Sequence, residues 1–207
     1  MLWNRSLVMR DLETGSLWSH ILGRCMRGEL KDEELPFIPG TVTTWAEWQQ
    51  KYPDTSVLNM SRKTGDYQRF VFTEPRNFVI GVKVGMSVKA YTFAYLLENP
   101  IVQEDLADTP ILLAFEPETT RAFVFERSID GKPLDFAASP REGKLVDRET
   151  NSHWDPWSGE AVAGQLQGAK LPPSYGIISF RKAWAQFYPG SEIVDLPPVE
   201  GRSFTRP

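Results

Sequence analysis

The sequence contains very little of the residues that build disulfides and metal centres. It has one cysteine and two histidines among 207 residues. One cysteine excludes an internal disulfide framework and a zinc site with several cysteine ligands, and two histidines are too few for a His-rich metal centre. The acidic residues also lack the spacing of a calcium-binding loop. We therefore expect no bound metal and no other cofactor.

The sequence also lacks an excess of positive charge and any long apolar run. Lys and Arg number 23 against 27 Asp and Glu, which gives a net charge of -4 at pH 7. This balance provides no basic surface for nucleic acid, so we expect no nucleic-acid partner. No apolar run reaches the roughly 18 residues that a membrane span needs. The first residues lack the pattern of a signal peptide, and the sequence leaves the compartment and the partners unassigned.

Turn-forming and aromatic residues are plentiful by contrast. The chain is 41% hydrophobic and 24% charged, which is typical of a folded globular protein and not of a disordered chain. Its 15 glycines and 16 prolines favour many turns and short elements over long helices. The length suits one domain or two small ones.

An internal repeat with a constant separation of 136 residues is the most informative feature. The segment Asp11-Leu-Glu-Thr-Gly-Ser-Leu-Trp18 returns as Asp147-Arg-Glu-Thr-Asn-Ser-His-Trp154. The same separation relates Gly23, Gly28, Leu30, Leu35, Pro36, Gly40, Trp48, Tyr52 and Pro53 to Gly159, Gly164, Leu166, Leu171, Pro172, Gly176, Trp184, Tyr188 and Pro189. This period is too long for a solenoid unit, so it predicts two copies of one subdomain with pseudo-two-fold symmetry.

The repeat divides the chain into four regions within one compact unit. We assign residues 1–60 to the first copy, 61–110 to a connecting β-rich segment, 111–196 to the second copy and 197–207 to an irregular tail. A strand-rich lead-in over residues 111–136 precedes the second copy, and the first copy has no counterpart after Met1. We therefore expect that the chain begins inside a longer reading frame. The alternative is a first copy that never had the lead-in.

Short segments bounded by turns predict a mainly β protein with a few short α-helices, a β-rich α+β fold. Thr44-Trp-Ala-Glu47 has the form of a capping box and predicts a helix to about Lys51. Two further helices are predicted over residues 91–97 and 181–187. Strands are predicted at residues 7–9, 16–18, 24–27, 56–58, 70–72, 78–80, 82–84, 88–90, 111–115, 121–127, 133–136, 160–163 and 193–194.

The polar residues of the repeat suit either a turn or a catalytic site. The set comprises Asp11, Thr14, Ser16 and Trp18 with Asp147, Thr150, Ser152 and Trp154. An aspartate side chain stabilises a turn by accepting a hydrogen bond from a backbone N–H close after it, so we interpret these residues as structural. A hydrolase that uses the Asp, Thr and Ser side chains is the third alternative. It ranks last because no histidine recurs with these residues to act as a general base. No catalytic residue is assigned.

Three further residues are also interpreted as structural. Cys25 corresponds to Ala161 in the repeat, and a position that accepts Cys or Ala is typical of a small buried site. His20 corresponds to Pro156, and His153 corresponds to Leu17, so neither histidine is repeated.

Two of the repeated tryptophans are candidate ligand contacts. Trp48 and Trp184 lie at equivalent places, and a buried aromatic core is the more common role for such residues. The alternative is a ligand groove between the two copies with these rings as walls, suited to a sugar or another small molecule.

Several blocks of the sequence resemble one family. The blocks are Asn4-Arg-Ser-Leu-Val-Met-Arg-Asp11 with its continuation to Trp18, Thr44-Trp-Ala-Glu-Trp48 with Tyr52-Pro-Asp-Thr-Ser-Val-Leu58, Lys89-Ala-Tyr91, Phe125-Glu-Arg127 with Asp130-Gly131, and the segment from Asp147 to Trp154. They resemble the successive blocks of the bacterial and archaeal domain of unknown function 3179, and the resemblance covers nearly the whole chain. It implies no assigned activity.

The resemblance does imply a hypothesis about redox chemistry. Family members carry a Cys-Pro-Leu-Cys segment upstream of the Leu-Val-Met block, in some with selenocysteine first, and such a pair suits thiol–disulfide exchange. No residue here matches that segment. We therefore expect the scaffold of a thiol or selenol redox domain whose reactive segment is missing, through a selenocysteine codon taken for a stop, a misplaced start or a true truncation. The alternative is a non-catalytic ligand-binding or structural module, with export left open.

Overall fold

The structure is a computed structural model that describes residues 2–3, 6–38, 40, 44–56, 73–139 and 143–197, with only the backbone of residues 2–3. In chain order the strands are β1 (Leu2–Trp3), β2 (Ser6–Arg10), β3 (Leu17–Ser19), β4 (Arg24–Arg27), β5 (Phe78–Val84), β6 (Ser87–Thr92), β7 (Ile101–Leu106), β8 (Thr109–Glu116), β9 (Arg121–Glu126), β10 (Ser128–Ile129), β11 (Lys132–Pro133), β12 (Phe136–Ala138), β13 (Leu145–Asp147), β14 (His153–Asp155), β15 (Glu160–Ala163), β16 (Tyr175–Phe180) and β17 (Glu192–Val194). The described helices are α1 (Trp45–Lys51), α2 (Phe93–Glu98) and α3 (Arg181–Phe187), with a 3₁₀ turn at Pro75–Asn77. The mainly β prediction with a few short helices is confirmed.

Two four-stranded antiparallel sheets have the same plan. The first sheet has the order β1-β2-β3-β4 and the second has the order β12-β13-β14-β15. Met9 lies opposite Trp18 in the first sheet, as Leu145 lies opposite Trp154 in the second. Both sheets shift register just before that tryptophan, where β3 pairs with β4 and where β14 pairs with β15. Residues 136 positions apart therefore have matching places in β2–β4 and in β13–β15. The outer pairs differ in register, because Leu2 lies opposite Leu7 whereas Ala138 lies opposite Leu145.

The tight turn before β3 and β14 needs a left-handed backbone at one position. Gly15 has φ +70° in the first sheet, and Asn151 has φ +54° in the second. Glycine and asparagine are among the residues that tolerate this region best, so the substitution of one for the other keeps the same turn.

Two further sheets form the centre of the molecule. One has the order β16-β5-β6-β17, with β17 parallel to β6, and the other has the order β7-β8-β9. The largest core cluster joins the two sheets through Ile80, Val82, Leu113 and Val124, together with Phe93 of α2. The chain before β16 also pairs with β9, because Ser174 N–H donates to the Val124 carbonyl at 2.9 Å. A small hairpin of β10 and β11 completes the strands.

Side-chain hydrogen bonds cap the first turns of α1 and α2, whereas α3 begins without such a cap. Glu47 N–H donates to Thr44 Oγ1 at 3.3 Å and Thr44 N–H donates to the Glu47 carboxylate at 3.4 Å, so the predicted capping box is confirmed. Helix α3 has the predicted bounds. Helix α2 begins at Phe93, because Tyr91 and Thr92 continue β6 and the Thr92 side chain caps the helix. The predicted start at residue 91 was therefore wrong.

Other differences concern strands. Six strands were not predicted: β1, β7, β10, β13, β14 and β16. The strand predicted over residues 133–136 is wrong, because β11 ends at Pro133 and β12 begins at Phe136. The strand predicted over residues 16–18 begins at Leu17, because Ser16 bonds to Thr14 in the preceding turn. The strand predicted over residues 70–72 and nearly all of that over 56–58 lie outside the described residues, as does the tail from residue 198.

Candidate functional site

Asp147 lies at the centre of the second copy of the polar motif. Its side chain is completely buried. The carboxylate accepts hydrogen bonds from the Thr150 N–H at 2.6 Å, the Thr150 hydroxyl at 2.7 Å, the Ser152 N–H at 3.1 Å and the Trp154 indole N–H at 2.8 Å. These donors satisfy the buried carboxyl oxygens and fix the turn that leads into β14.

Asp11 makes the equivalent contacts in the first copy, nearer the surface. It accepts hydrogen bonds from the Thr14 N–H at 2.7 Å, the Gly15 N–H at 3.0 Å and the Trp18 indole N–H at 2.8 Å. The hydrogen bond from Trp18, followed by that from the Thr14 amide, lowers the pKa of Asp11 to about 2. Asp11 is therefore ionised throughout the neutral range.

The serine hydroxyls of the motif are held in equivalent positions and are both buried. Ser16 Oγ accepts a hydrogen bond from the Leu30 N–H at 3.3 Å, and Ser152 Oγ accepts one from the Leu166 N–H at 2.9 Å. Gly28 and Gly164 pack directly against these serines and leave no room for a side chain. No hydrogen bond within the described residues joins either serine to a histidine. The geometry therefore offers neither serine a general base.

The thiol and the two imidazoles lie close to this motif, but the hydrogen bonds described for them go to other residues. Cys25 is completely buried, and its Sγ contacts the Arg27 carbonyl oxygen at 3.4 Å. His20 Nδ1 lies 3.0 Å from the Leu7 carbonyl oxygen, and His153 Nδ1 lies 2.9 Å from Ser139 Oγ. Among the described residues, no three His, Cys, Asp or Glu side chains are placed to hold a metal ion.

Trp48 and Trp184 have the same local contacts but different surroundings. Their indole N–H groups donate to a hydroxyl seven residues later, Thr55 Oγ1 at 3.0 Å and Ser191 Oγ at 2.9 Å. Each ring also packs on the tyrosine four residues later, with centroids 4.6 and 4.4 Å apart. Trp184 is completely buried against Gly81, whereas Trp48 is half-buried. Only Trp48 presents a surface to a ligand.

The two helices that carry these tryptophans pack in a reciprocal manner. Helix α1 of the first region contacts the second sheet, where Trp48 lies 6.2 Å from Trp157 between ring centroids. Residues of α3, in the second region, pack with Ile21 beside the first sheet, and Tyr188 donates a hydrogen bond to the Ile21 carbonyl at 3.1 Å. Ile21 and Trp157 are 136 positions apart. Trp157 beside the half-buried Trp48 thus occupies the place that Ile21 occupies beside the completely buried Trp184.

A groove of about 360 Å³ lies beside α1, and we call it the aromatic groove. Its apolar walls are the side chains of Phe37, Trp48, Tyr52, Phe123 and Trp157. Further residues of β9 belong to the lining, and its polar residues are Ser158, Lys170 and Ser174. Sequence analysis singled out Trp48 but missed Phe123 and Trp157, since Trp157 does not recur in the repeat.

Charged side chains surround Trp157. The Lys51 ammonium lies 5.0 Å and the Arg121 guanidinium lies 4.9 Å from the centroid of its ring. Lys51 also forms an ion pair with Asp155 at 3.2 Å, and Arg121 forms one with Glu47 at 3.4 Å. Burial raises the pKa of Asp155, but the hydrogen bond from the Trp157 amide and the interactions with Lys51 outweigh it, so this pKa lies below its ordinary value.

A second cleft, of about 670 Å³, lies between the first sheet and the start of α3. Leu7, Phe78, Ile178 and Phe180 give it apolar walls, and Ser6, His20, Glu74 and Lys182 are among its polar residues. No sequence pattern indicated this cleft, because its lining comes from short stretches widely separated along the chain. None of the predicted motif residues lines this cleft.

In the described part of the chain, no helix has the length and hydropathy to span a membrane. Comparisons with curated proteins and with solved structures found no match for the chain. The family model described as "Protein of unknown function (DUF3179)" matches residues 1–74 and 67–207. The two matches together span the whole sequence and include both copies of the polar motif. The chain belongs to the DUF3179 family of proteins of unknown function.

Proposed function

We propose that the protein is a non-catalytic binding module that takes a small ligand with a flat apolar face in the aromatic groove. One observation carries this proposal: aromatic side chains from both regions of the chain converge on one open groove. Phe37 and Tyr52 are 41% and 43% exposed there. Exposed aromatic rings grouped in a concave site are typical of ligand contacts, because burial of such rings releases much apolar surface from water.

The form of the groove agrees with a small ring-shaped ligand. Its volume of about 360 Å³ lies near the lower end of the usual range for ligand sites. Aromatic walls bind the apolar face of a sugar or of another ring, and the hydroxyl groups of Ser158 and Ser174 supply polar contacts.

The hydrogen bonds of the polar motif support a structural role for its aspartates and serines rather than a catalytic one. Asp11 and Asp147 accept hydrogen bonds from their own turns, and Ser16 and Ser152 accept hydrogen bonds from backbone amides. The thiol of Cys25 is buried, whereas thiol–disulfide exchange needs an accessible thiolate. These contacts favour binding over either kind of chemistry.

The proposal places the groove between two copies of one subdomain. The matching sheet registers and the matching contacts of the two motifs support this division, with residues 1–60 in the first copy and 111–196 in the second. The groove brings Phe37 and Gly40 of the first copy beside Pro173 and Gly176, which are their counterparts 136 residues later. This arrangement agrees with a pseudo-two-fold axis close to the groove.

NMR titration of the full chain tests the proposal through the indole N–H signals. The probes are 2-naphthoate, 2-naphthamide, trigalacturonate and its neutral analogue galactotriose. We expect saturable shifts of the Trp48 and Trp157 signals with at least one probe, and no shift of the buried Trp154 and Trp184 signals. Trp45→Ala is the matched control for Tyr52→Ala, because Trp45 is 48% exposed on α1 and does not line the groove.

We expect Tyr52→Ala to weaken binding and Trp45→Ala to leave it unchanged. If none of the four probes shifts the Trp48 and Trp157 signals at millimolar concentration, the proposed function is wrong. Equal effects of the two substitutions would place the ligand outside the groove and would also overturn it.

A further inference from the structure

We infer that the ligand of the aromatic groove is an anionic ring compound, with a carboxylate attached to or near its ring. This inference rests on the proposed function and adds the charge of the ligand to it. The charged side chains around the groove carry it, because their pairing leaves one end positive although the whole chain has a net charge of -4.

The positive end lies at Asp155, beside Trp157. Lys51 Nζ is 3.2 Å from one carboxylate oxygen of Asp155, and Lys144 Nζ is 3.4 Å from the other. Both lysine side chains are 33% exposed, so water and solutes reach them. One carboxylate cannot neutralise two ammonium groups. Within the described residues no other carboxylate pairs with these two lysines, so one positive charge is left over next to the aromatic walls.

Lys170 adds a further positive charge directly in the lining of the groove. It makes no ion pair within 4 Å among the residues that the structure describes. The residue opposite it in the backbone bridge is Glu160, whose side chain is exposed to solvent. Lys170 is itself exposed, so a ligand in the groove can reach its ammonium group.

The opposite sign prevails near the start of α1. There Arg121 forms ion pairs with both Glu47 and Glu116, so two carboxylates share one guanidinium. The surroundings of the groove are thus polarised, with excess positive charge near Asp155 and Lys170 and excess negative charge near Glu47. A ring seated on the aromatic walls gains most when its anionic group points towards the lysines.

Matched probes that differ only in whether they carry carboxylates test this inference. 2-Naphthoate and trigalacturonate carry carboxylates, and 2-naphthamide and galactotriose are their neutral counterparts. We expect the carboxylate of at least one pair to bind at least about fivefold more tightly than its neutral partner, as suits a charge-assisted hydrogen bond. This preference should fall as salt is added, because the lysines are exposed. The pair that shows the preference identifies the ring as a sugar or as an aromatic system.

Substitution of one lysine locates the effect. We expect Lys170→Gln to weaken carboxylate binding by about two- to fivefold and to leave binding of the neutral partner unchanged. Lys132→Gln is the control, since Lys132 is exposed in β11 and does not line the groove. Thermal unfolding of both variants checks that the fold is intact.

Two results separate this inference from the proposed function. If the neutral probes bind in the groove as tightly as the carboxylates, or if Lys170→Gln affects both equally, the charge preference is wrong and the binding function stands. If neither probe of either pair binds, both are wrong.

Discussion

Asp147 and Asp11 show how one motif behaves at two levels of burial. Both carboxylates accept hydrogen bonds from a threonine amide and from a tryptophan indole. Asp147 is completely buried, whereas Asp11 is only partly covered. The same set of hydrogen bonds should therefore contribute more to stability in the second sheet, because water cannot replace a lost partner there.

We predict that Asp147→Asn destabilises the protein by about 2–4 kcal/mol. Asparagine offers one acceptor oxygen and turns an NH₂ donor towards groups that are themselves donors. Urea unfolding measures the difference in the free energy of unfolding. Asp11→Asn is the matched variant and should cost less, so equal losses in the two variants would contradict this account.

The acid response of the protein should include a contribution from Asp11. Its pKa in the folded state is lowered from 3.8 to about 2, so the folded state binds this proton less readily than the unfolded state. The stabilisation is therefore complete above about pH 4 and is lost as the pH falls towards 2. We predict that Asp11→Asn flattens the pH dependence of the unfolding free energy between these values. An unchanged slope would show that Asp11 does not contribute.

At the scale of elements, α1 and α3 occupy matching places with unequal burial. Helix α3 buries Ala183 and Trp184, whereas none of the seven residues of α1 is buried. Ion pairs from Glu47 to Arg121 and from Lys51 to Asp155 hold α1 instead. Ion pairs that remain partly open to solvent contribute little, so α1 should be the less stable of the two helices.

We predict that Trp184→Ala destabilises the protein by roughly 3–5 kcal/mol, because it leaves a large cavity against Gly81. Trp48→Ala should cost clearly less, since its ring is only half-buried. Thermal and urea unfolding of the two variants provide the comparison, with Trp45→Ala as an exposed control. A loss for Trp48→Ala as large as that for Trp184→Ala would contradict the difference in packing.

The elements that were predicted correctly have local signals. Helix α1 has its capping box within four residues, and the β5–β6 hairpin has Gly85 at a positive φ between alternating valines. β16 lacks such signals, because two prolines precede it and Gly176 interrupts its apolar residues. β7 contains Gln103, Glu104 and Asp105. Their side-chain partners come from β12 for Gln103, from β6 for Glu104 and from Arg127 for Asp105. Such partners come from tertiary contacts that a local pattern does not contain.

At the scale of the whole molecule, the site was harder to predict than the fold. The repeat pointed to Trp48, because that residue recurs, but Phe123 and Trp157 do not recur and only join it when α1 packs across the second sheet. Lys51 and Lys144 lie far apart in sequence and meet at Asp155. The aromatic groove and its charges therefore follow from long-range packing, which the spacing of residues in the sequence does not reveal.

The reciprocal packing predicts that the two regions unfold together. Helix α1 contacts the second sheet through Trp48 and Lys51, and α3 lies against Ile21 beside the first sheet. Neither sheet can lose its structure without exposing a helix of the other region. We predict one transition in thermal unfolding, with coincident curves for the indole signals of Trp18 and Trp154. Two separate midpoints would show that the regions are independent.

The unequal burial of α1 and α3 also determines which substitutions the protein can tolerate. The buried contact of Trp184 with Gly81 and Ile21 holds the two regions of the chain together. The open contact of Trp48 with Trp157 contributes less to stability, so substitutions there should lower the free energy of unfolding only slightly. Such an arrangement lets the residues around Trp48 change to suit new ligands while the residues around Trp184 preserve the architecture.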